Sequence, residues 1–320
     1  MIAGATFLLI IAGALVTSND AGLSVPDWPT SFHHSPISYA YFQVPLVGGV
    51  LYEHGHRIIA ELIGFLTVVL AIWTWRTDHR PWMRKLGLAA LGAVILQGIL
   101  GGITVLTGLP PVVSSAHAAL GQAFFCIAVA ISLFTGRRWV SDEPGTSLSI
   151  PSSQHVGGEP EADNQALKTA PPGSSLPILA WFAVSAIYVQ LFLGAMFRHH
   201  GMRLLPHLVM AAVVTLVVVR TAFRTLSHYR HIEQLRRPAT ALLGLLLAQL
   251  TLGFLAYLTR VMWSSNGEQP GVAMVMATVT HVAVGALLLA TAVVLAIQVS
   301  RHVKVPQLEP VPPNQKAITA

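Results

Sequence analysis

Charge is what this chain has least of. Asp, Glu, Lys and Arg make up 10% of its 320 residues, against 53% hydrophobic ones, and the mean hydropathy is +0.63. A soluble domain carries about 25% charged residues, so a soluble enzyme is excluded and a polytopic membrane protein is expected. Cysteine is nearly absent. The single Cys126 excludes an intramolecular disulfide and any metal site built on thiolates; it lies in an apolar run and reads as a packing residue. A basic segment and a cleavage site are also missing at the start. The N-terminus is apolar from Ile2 and reads as a retained first helix rather than a signal peptide.

What the chain does have is long apolar runs. A membrane-spanning helix needs about 20 apolar residues, and eight candidates satisfy that: near Ile2–Val16, Val50–Trp75, Leu86–Leu106, Val112–Phe134, Leu176–Phe197, Leu204–Phe223, Ala239–Leu258 and Val272–Val299. Lys and Arg in the connecting segments set the orientation. Of the 19 such residues, only Arg57, Arg198, Arg203 and Arg260 fall on the outer side if the N-terminus is inside. Both termini are therefore expected in the cytoplasm. The net charge of +6 is then a topology signal, and no nucleic-acid partner is expected.

The first outer loop, about Thr17 to Gly49, carries Trp28, Phe32, Tyr39 and Tyr41, aromatics that ordinarily sit at headgroup level. Residues 141–175 are rich in Ser, Pro, Gly and Glu and read as a flexible cytoplasmic linker. The flanking halves repeat. Gln97–Thr107 aligns with Gln249–Thr259, His117–Gly121 with His281–Gly285, and His56–Ala60 with His207–Ala211, with a weaker match of Gly13-Ala14 to Gly194-Ala195. The expected fold is all-α and integral to the membrane, with eight transmembrane helices arranged as two parallel-repeat four-helix bundles. Its parts are an N-terminal half (1–140), the linker (141–175), a C-terminal half (176–302) and a cytoplasmic tail (303–320).

The repeat places His56, His117, His207 and His281 in the outward part of the even-numbered spans, at one depth and two per half. A lone intramembrane histidine is usually a hydrogen-bonded structural residue. Four at equivalent positions point instead to paired imidazoles, the axial ligands an iron porphyrin requires. Gln97 and Gln249 lie inside two other spans; interhelical hydrogen bonding and contact with a bound porphyrin are both open to them. Glu53 stands three residues before His56, on the same helix face, while Leu204 occupies the equivalent place before His207. A carboxylate in an apolar span marks a functional site by default. The plainer reading is a salt-bridged helix entrance, Glu53 with Arg57 and Arg57 with Glu61. His54 stays ambiguous. The other histidines read as solvated or interfacial residues.

These residues carry a resemblance. The Glu53-x-x-His56-Arg57 motif, His117, His207 and His281, and the loop signature Gly22-Leu23-Ser24-Val25-Pro26-Asp27-Trp28-Pro29 together resemble the heme A synthase family of cytochrome oxidase assembly. The likeness covers nearly all eight spans and is weakest in the linker and tail. It implies an oxidoreductase of a bacterial-type cytoplasmic membrane, with heme sites toward the outer face, that converts a methyl group of heme O to formyl by two hydroxylations and loss of water. It further implies that His56 and His117 bracket the iron of substrate heme O or product heme A, that His207 and His281 ligate a heme B cofactor, and that Glu53 is catalytic. The implied partners are heme O, membrane lipid, a heme O synthase and an electron acceptor such as a quinone. This chain departs from many relatives in lacking a cysteine pair in the first loop, where Val25 replaces one of the cysteines. A loop closing over the substrate must then be held by packing, through Trp28 and Phe32. The rival reading is a diheme b-type, quinol-oxidising electron-transfer protein, which shares the histidines but gives Glu53 no special role; a proton or metal transporter is a third class.

Overall fold

The computed structural model describes residues 1–141, 175–263 and 271–303. Nearly all of the expected linker and tail, with His155, Lys168, Lys304 and Lys316, lies outside the described residues. The helices are α1 (Ile2–Ser18), α2 (Gly48–Thr77), α3 (Pro81–Leu106), α4 (Pro111–Phe134), the short α5 (Arg137–Ser141), α6 (Leu176–Arg198), α7 (Leu204–Tyr229), α8 (Glu233–Trp263) and α9 (Val272–His302). A turn of 3-10 helix, Tyr39–Gln43, lies in the loop between α1 and α2.

All eight expected spans are helices at the expected places. Within hydrocarbon every backbone N–H and C=O must be satisfied inside the segment, and the helix achieves that. Seven of the helices are long and apolar enough to cross a membrane. The 17-residue α1 rises about 26 Å at 1.5 Å per residue, at the short end of the range. Pro81 and Pro111 open α3 and α4, where the missing proline N–H has no intrahelical partner to lose. Between those two helices Gly108 takes φ +74°, a left-handed turn that glycine adopts without strain. Several helices outrun their apolar windows. α7 continues to Tyr229 and α8 starts at Glu233 with Pro238 inside it. These extensions carry Arg224, Arg236 and Arg237, whose long stems reach polar surroundings from an apolar helix end.

Neighbouring helices close two rings of contact. α1 packs on α2 and α4, with α3 between the latter two. α6 packs on α7 and α9, with α8 between those. The rings meet through α9 against α1 and α4, and through α4 against α6. The most apolar stretch of α9 is 67% buried, whereas no other reaches 40%, so α9 is the central helix. It buries Ala283, Ala286, Ala290, Ala292 and Ala296, small residues that let helix backbones approach closely. Phe65, Trp73, Ile95, Leu216 and Phe254 are exposed on the outward faces, as suits contact with lipid. At the seam Phe125 packs on Ala286 and Ala290, and the Tyr188 hydroxyl donates to the Ala119 carbonyl at 3.1 Å.

Candidate functional site

The start of α2 is fastened to the loop before it by a buried polar network. Val25, Tyr41 and His54 are fully buried, and Glu53 is 4% exposed. Glu53 uses both carboxylate oxygens: Oε1 accepts from Arg57 Nη2 at 2.7 Å, and Oε2 accepts the Val25 N–H at 2.8 Å. The Arg57 guanidinium forks across the loop. Nη2 also donates to the Val25 carbonyl at 2.9 Å. Nη1 donates to the carbonyls of Asp27 (2.6 Å) and Thr30 (3.0 Å) and to Ser31 Oγ (3.4 Å). His54 Nε2 lies 2.9 Å from the Tyr41 carbonyl and Nδ1 lies 3.1 Å from Ser31 Oγ. A carbonyl only accepts, so Nε2 carries the proton and Nδ1 receives the Ser31 hydroxyl. Of the two salt bridges read from the sequence, Glu53–Arg57 forms. Glu61 instead takes the Tyr41 hydroxyl at 2.6 Å. His54 is thus a loop anchor, and Arg57 fastens residues 25–31 of the loop to α2.

Asp27 organises the loop itself. Its carboxylate accepts from the Thr30 hydroxyl and from the Phe32 and His33 amides, the latter two at 2.8 Å. Burial alone would raise its pKa, but those hydrogen bonds outweigh it and hold the carboxyl at about 2, against an ordinary 3.8. A depressed acid stabilises the fold above its unfolded pKa and loses that contribution as pH falls toward the folded one. Protection of the Phe32 and His33 amides, measured against the intrinsic exchange rate at each pH, is expected to hold above about pH 4 and to fall toward about pH 2, while Asp27→Asn lacks that protection already at neutral pH. Equal protection in the two proteins at neutral pH would refute this.

Trp28 lies with its ring on Gly102 of α3, where a Cβ would overlap it. The adjacent Gly101 touches His117, so Trp28 covers α3 one residue from the glycine against which His117 lies. Trp28 and Phe32 are equally open, at 38% and 40% exposed. Trp28→Ala is expected to lower thermal stability by about 1–2 kcal/mol through lost aromatic burial on Gly102. An unchanged melting temperature would show that the ring contributes nothing there.

The four histidines share one setting. Each ring lies against a glycine of a neighbouring helix: a Cβ built on Gly13, Gly101, Gly194 or Gly253 would stand 3.2, 3.0, 3.0 or 2.9 Å from Cε1 of His56, His117, His207 or His281. His56 lies within electrostatic reach of His117, and His281 of His207, so the pairs fall within each ring of helices. Three histidines also meet a glutamine. The Nε2 atoms of Gln97, Gln190 and Gln249 are 3.3, 3.4 and 3.3 Å from Nε2 of His117, His207 and His281. Among the described residues no three His, Cys, Asp or Glu side chains converge as a site for a bare metal ion.

Residues 1–205, more than half of the chain, match the model of a family described as cytochrome oxidase assembly protein. The chain belongs to this family. Its relatives in the family include the heme A synthase of Symbiobacterium thermophilum, 27% identical over 289 residues, which are 80% of this chain and 85% of that protein. The heme A synthase of Geobacillus kaustophilus is 23% identical over 286 residues, 80% of each chain. That of Shouchella clausii is 30% identical over 129 residues, 39% of this chain, and this chain spans only 40% of that relative's length. Family membership and seven long apolar helices make this an integral membrane protein. The family match contains Glu53, His56 and His117. His207 and His281 lie beyond it.

Sequence reasoning missed Gln190, Asp27, Ser31 and Tyr41 as members of these networks. For Gln190 a signal existed: Gln97-x-x-x-Gly101, Gln190-x-x-x-Gly194 and Gln249-x-x-x-Gly253 repeat one spacing, which puts amide and glycine on one helix face. The contacts between loop and α2 had none, because they join residues 13 to 32 positions apart without regular secondary structure, and those of the Asp27 carboxylate, three to six positions apart, follow no helix or strand period.

Proposed function

We propose that this chain is a heme A synthase. It oxidises one methyl group of heme O to a formyl group by two successive hydroxylations, the second followed by loss of water. His56 and His117 hold the iron of the substrate and product hemes. His207 and His281 hold a permanent heme B, which supplies one-electron transfer when bound. The donor set supports a porphyrin. Imidazoles come in partly buried pairs across a four-helix ring, and Nδ1 of His56, His207 and His281 and Oε1 of all three glutamines are buried without a partner among the described residues. Buried polar atoms of that kind call for an explanation, and a missing bound group is one. The two rings of helices form a parallel repeat, both termini lie in the cytoplasm, and the heme sites face the outer side. Heme O delivered by a heme O synthase and an electron acceptor such as a quinone complete the cycle.

One observation carries the reading: a buried carboxylate stands one turn before His56, while Leu204 stands one turn before His207. Two similar sites, one with an ionisable group and one without, suit one reaction centre and one electron carrier. Glu53 accepts protons lost in the oxidation. Its Oε2, held only by the Val25 N–H, is the oxygen that loop movement frees, while Arg57 keeps Oε1 in place. Heme extraction from protein co-expressed with a source of heme O tests the assignment. Heme A in the extract is expected. Heme B alone, with no heme A formed, would hand the protein to the diheme electron-transfer reading.

A further inference from the structure

The setting shared by the four histidines is altered in one copy. Three of the ring-contacting glycines are preceded at four residues by glutamine, whereas Gly13 is preceded by Leu9. Gln97 and Gln190 do more than approach the rings. Their amides also donate to the backbone carbonyls of His117 and His207 at 2.9 and 3.0 Å, tying α3 to α4 and α6 to α7 at the level of the ligand. Gln249 approaches His281 in the same way. His117 Nδ1 in return meets the Gln97 carbonyl at 3.1 Å; Nε2 is then the nitrogen open to a metal, and a glutamine amide displaced from Nε2 by that metal still holds the helix through the histidine carbonyl. Leu9 supplies no amide. It packs in the apolar cluster around Ile63 and Phe124; Nδ1 of His56 is unpartnered among the described residues, as are those of His207 and His281, so the difference lies in the missing side-chain amide alone. α2 is fastened at this end to the loop instead, through Glu53, His54 and Arg57.

We infer that Gln97, Gln190 and Gln249 are positioning residues that hold three axial-ligand histidines in place, and that Leu9 leaves His56 as the exchangeable ligand. This rests on the heme-binding reading above. A ligand histidine is oriented by what its surroundings bond to, and such partners tune metal affinity strongly. A site that keeps its heme benefits from two held histidines. A site that takes in one heme and releases another needs one ligand free to leave. The asymmetry falls on the helix that also carries Glu53 and the loop fastening, so ligand release and loop opening act on one element.

The test uses the full-length protein purified with its hemes, total heme being measured by pyridine hemochrome. Carbon monoxide is the probe, since it binds ferrous heme only where an axial histidine yields. In wild type the CO-reactive heme is expected at the substrate site. Leu9→Gln, which installs the missing amide, is expected to lower the CO-reactive fraction roughly threefold, the worth of one interhelical hydrogen bond in a membrane protein. Gln190→Leu is expected to raise it by a similar factor, by freeing His207. A purely structural role for the glutamines predicts no change in CO reactivity at equal heme content, and that result in both variants overturns the inference. If Leu9→Gln fails to assemble, Gln190→Leu decides alone by the same criterion. Wild-type protein that binds no heme overturns the functional reading itself, and is told apart by the hemochrome.

Discussion

Glu53→Gln is expected to lower heme A formation by on the order of 10²–10⁴-fold, the usual worth of a positioned proton acceptor, while heme B content stays at the wild-type level. The amide keeps the size of the carboxylate and one oxygen acceptor, so the Val25 N–H or the Arg57 guanidinium keeps a partner. What it loses is the charge and the capacity to take a proton. Extracts of the variant should contain heme B with heme O or a hydroxylated intermediate. An electron-transfer protein would be insensitive: both hemes and the redox activity would persist. The variant also removes the charge facing buried Arg57, and a broken buried pair destabilises by about 3–5 kcal/mol. Thermal stability of heme-loaded protein must therefore be measured beside activity. Glu53→Asp separates the two effects, since it keeps the charge but withdraws it by a methylene. Rescue of stability without rescue of heme A assigns Glu53 to the chemistry, and heme A at wild-type rates from Glu53→Gln would end that role.

The helices were legible because hydrocarbon leaves the backbone few choices: each run of apolar residues became one helix, and only its ends moved. α8 begins six residues before Ala239 and carries Pro238 inside it, past the four N–H groups that a helix start leaves free, so the proline forgoes one intrahelical bond without ending the helix. The histidines were legible because the chain repeats, so the same residue returns in the same context. Leu9 shows where the method stopped. It breaks the glutamine pattern, and alignment by identities passes over a position whose meaning lies in a difference. The loop was opaque for another reason. Nothing periodic links Arg57 to the carbonyls of Val25, Asp27 and Thr30, and a side chain that binds main-chain oxygens leaves no mark on the residues it binds. The missing cysteines did point to a substitute fastening, although packing by Trp28 and Phe32 was expected to provide it. Trp28 does seat on Gly102, but ionic and hydrogen-bonded contacts to the main chain do most of the fastening.

Arg57→Ala is the substitution expected to open that loop. The guanidinium serves three loop carbonyls, the Ser31 hydroxyl and the Glu53 carboxylate at once. Its removal leaves Glu53 buried with only the Val25 N–H, and leaves those carbonyls to find water. Loss of one partner of a buried pair costs about 3–5 kcal/mol, enough to shift the closed loop to a minority state. The expected result is fast hydrogen exchange over residues 25–31 and, on the proposed function, loss of heme A formation with the heme proposed for His207 and His281 retained. Arg57→Lys is not a conservative control here. An ammonium is a compact donor without the planar fork, and cannot span Val25, Asp27 and Thr30 together. It should keep the Glu53 pairing, and so most of the stability, yet leave the loop open. If Arg57→Lys protects the loop amides as wild type does, the charge alone closes the loop and the fork is incidental. If both variants expose the loop while only Arg57→Ala is destabilised, the two tasks of Arg57 are separable: neutralising a buried carboxylate and holding the loop over the substrate site.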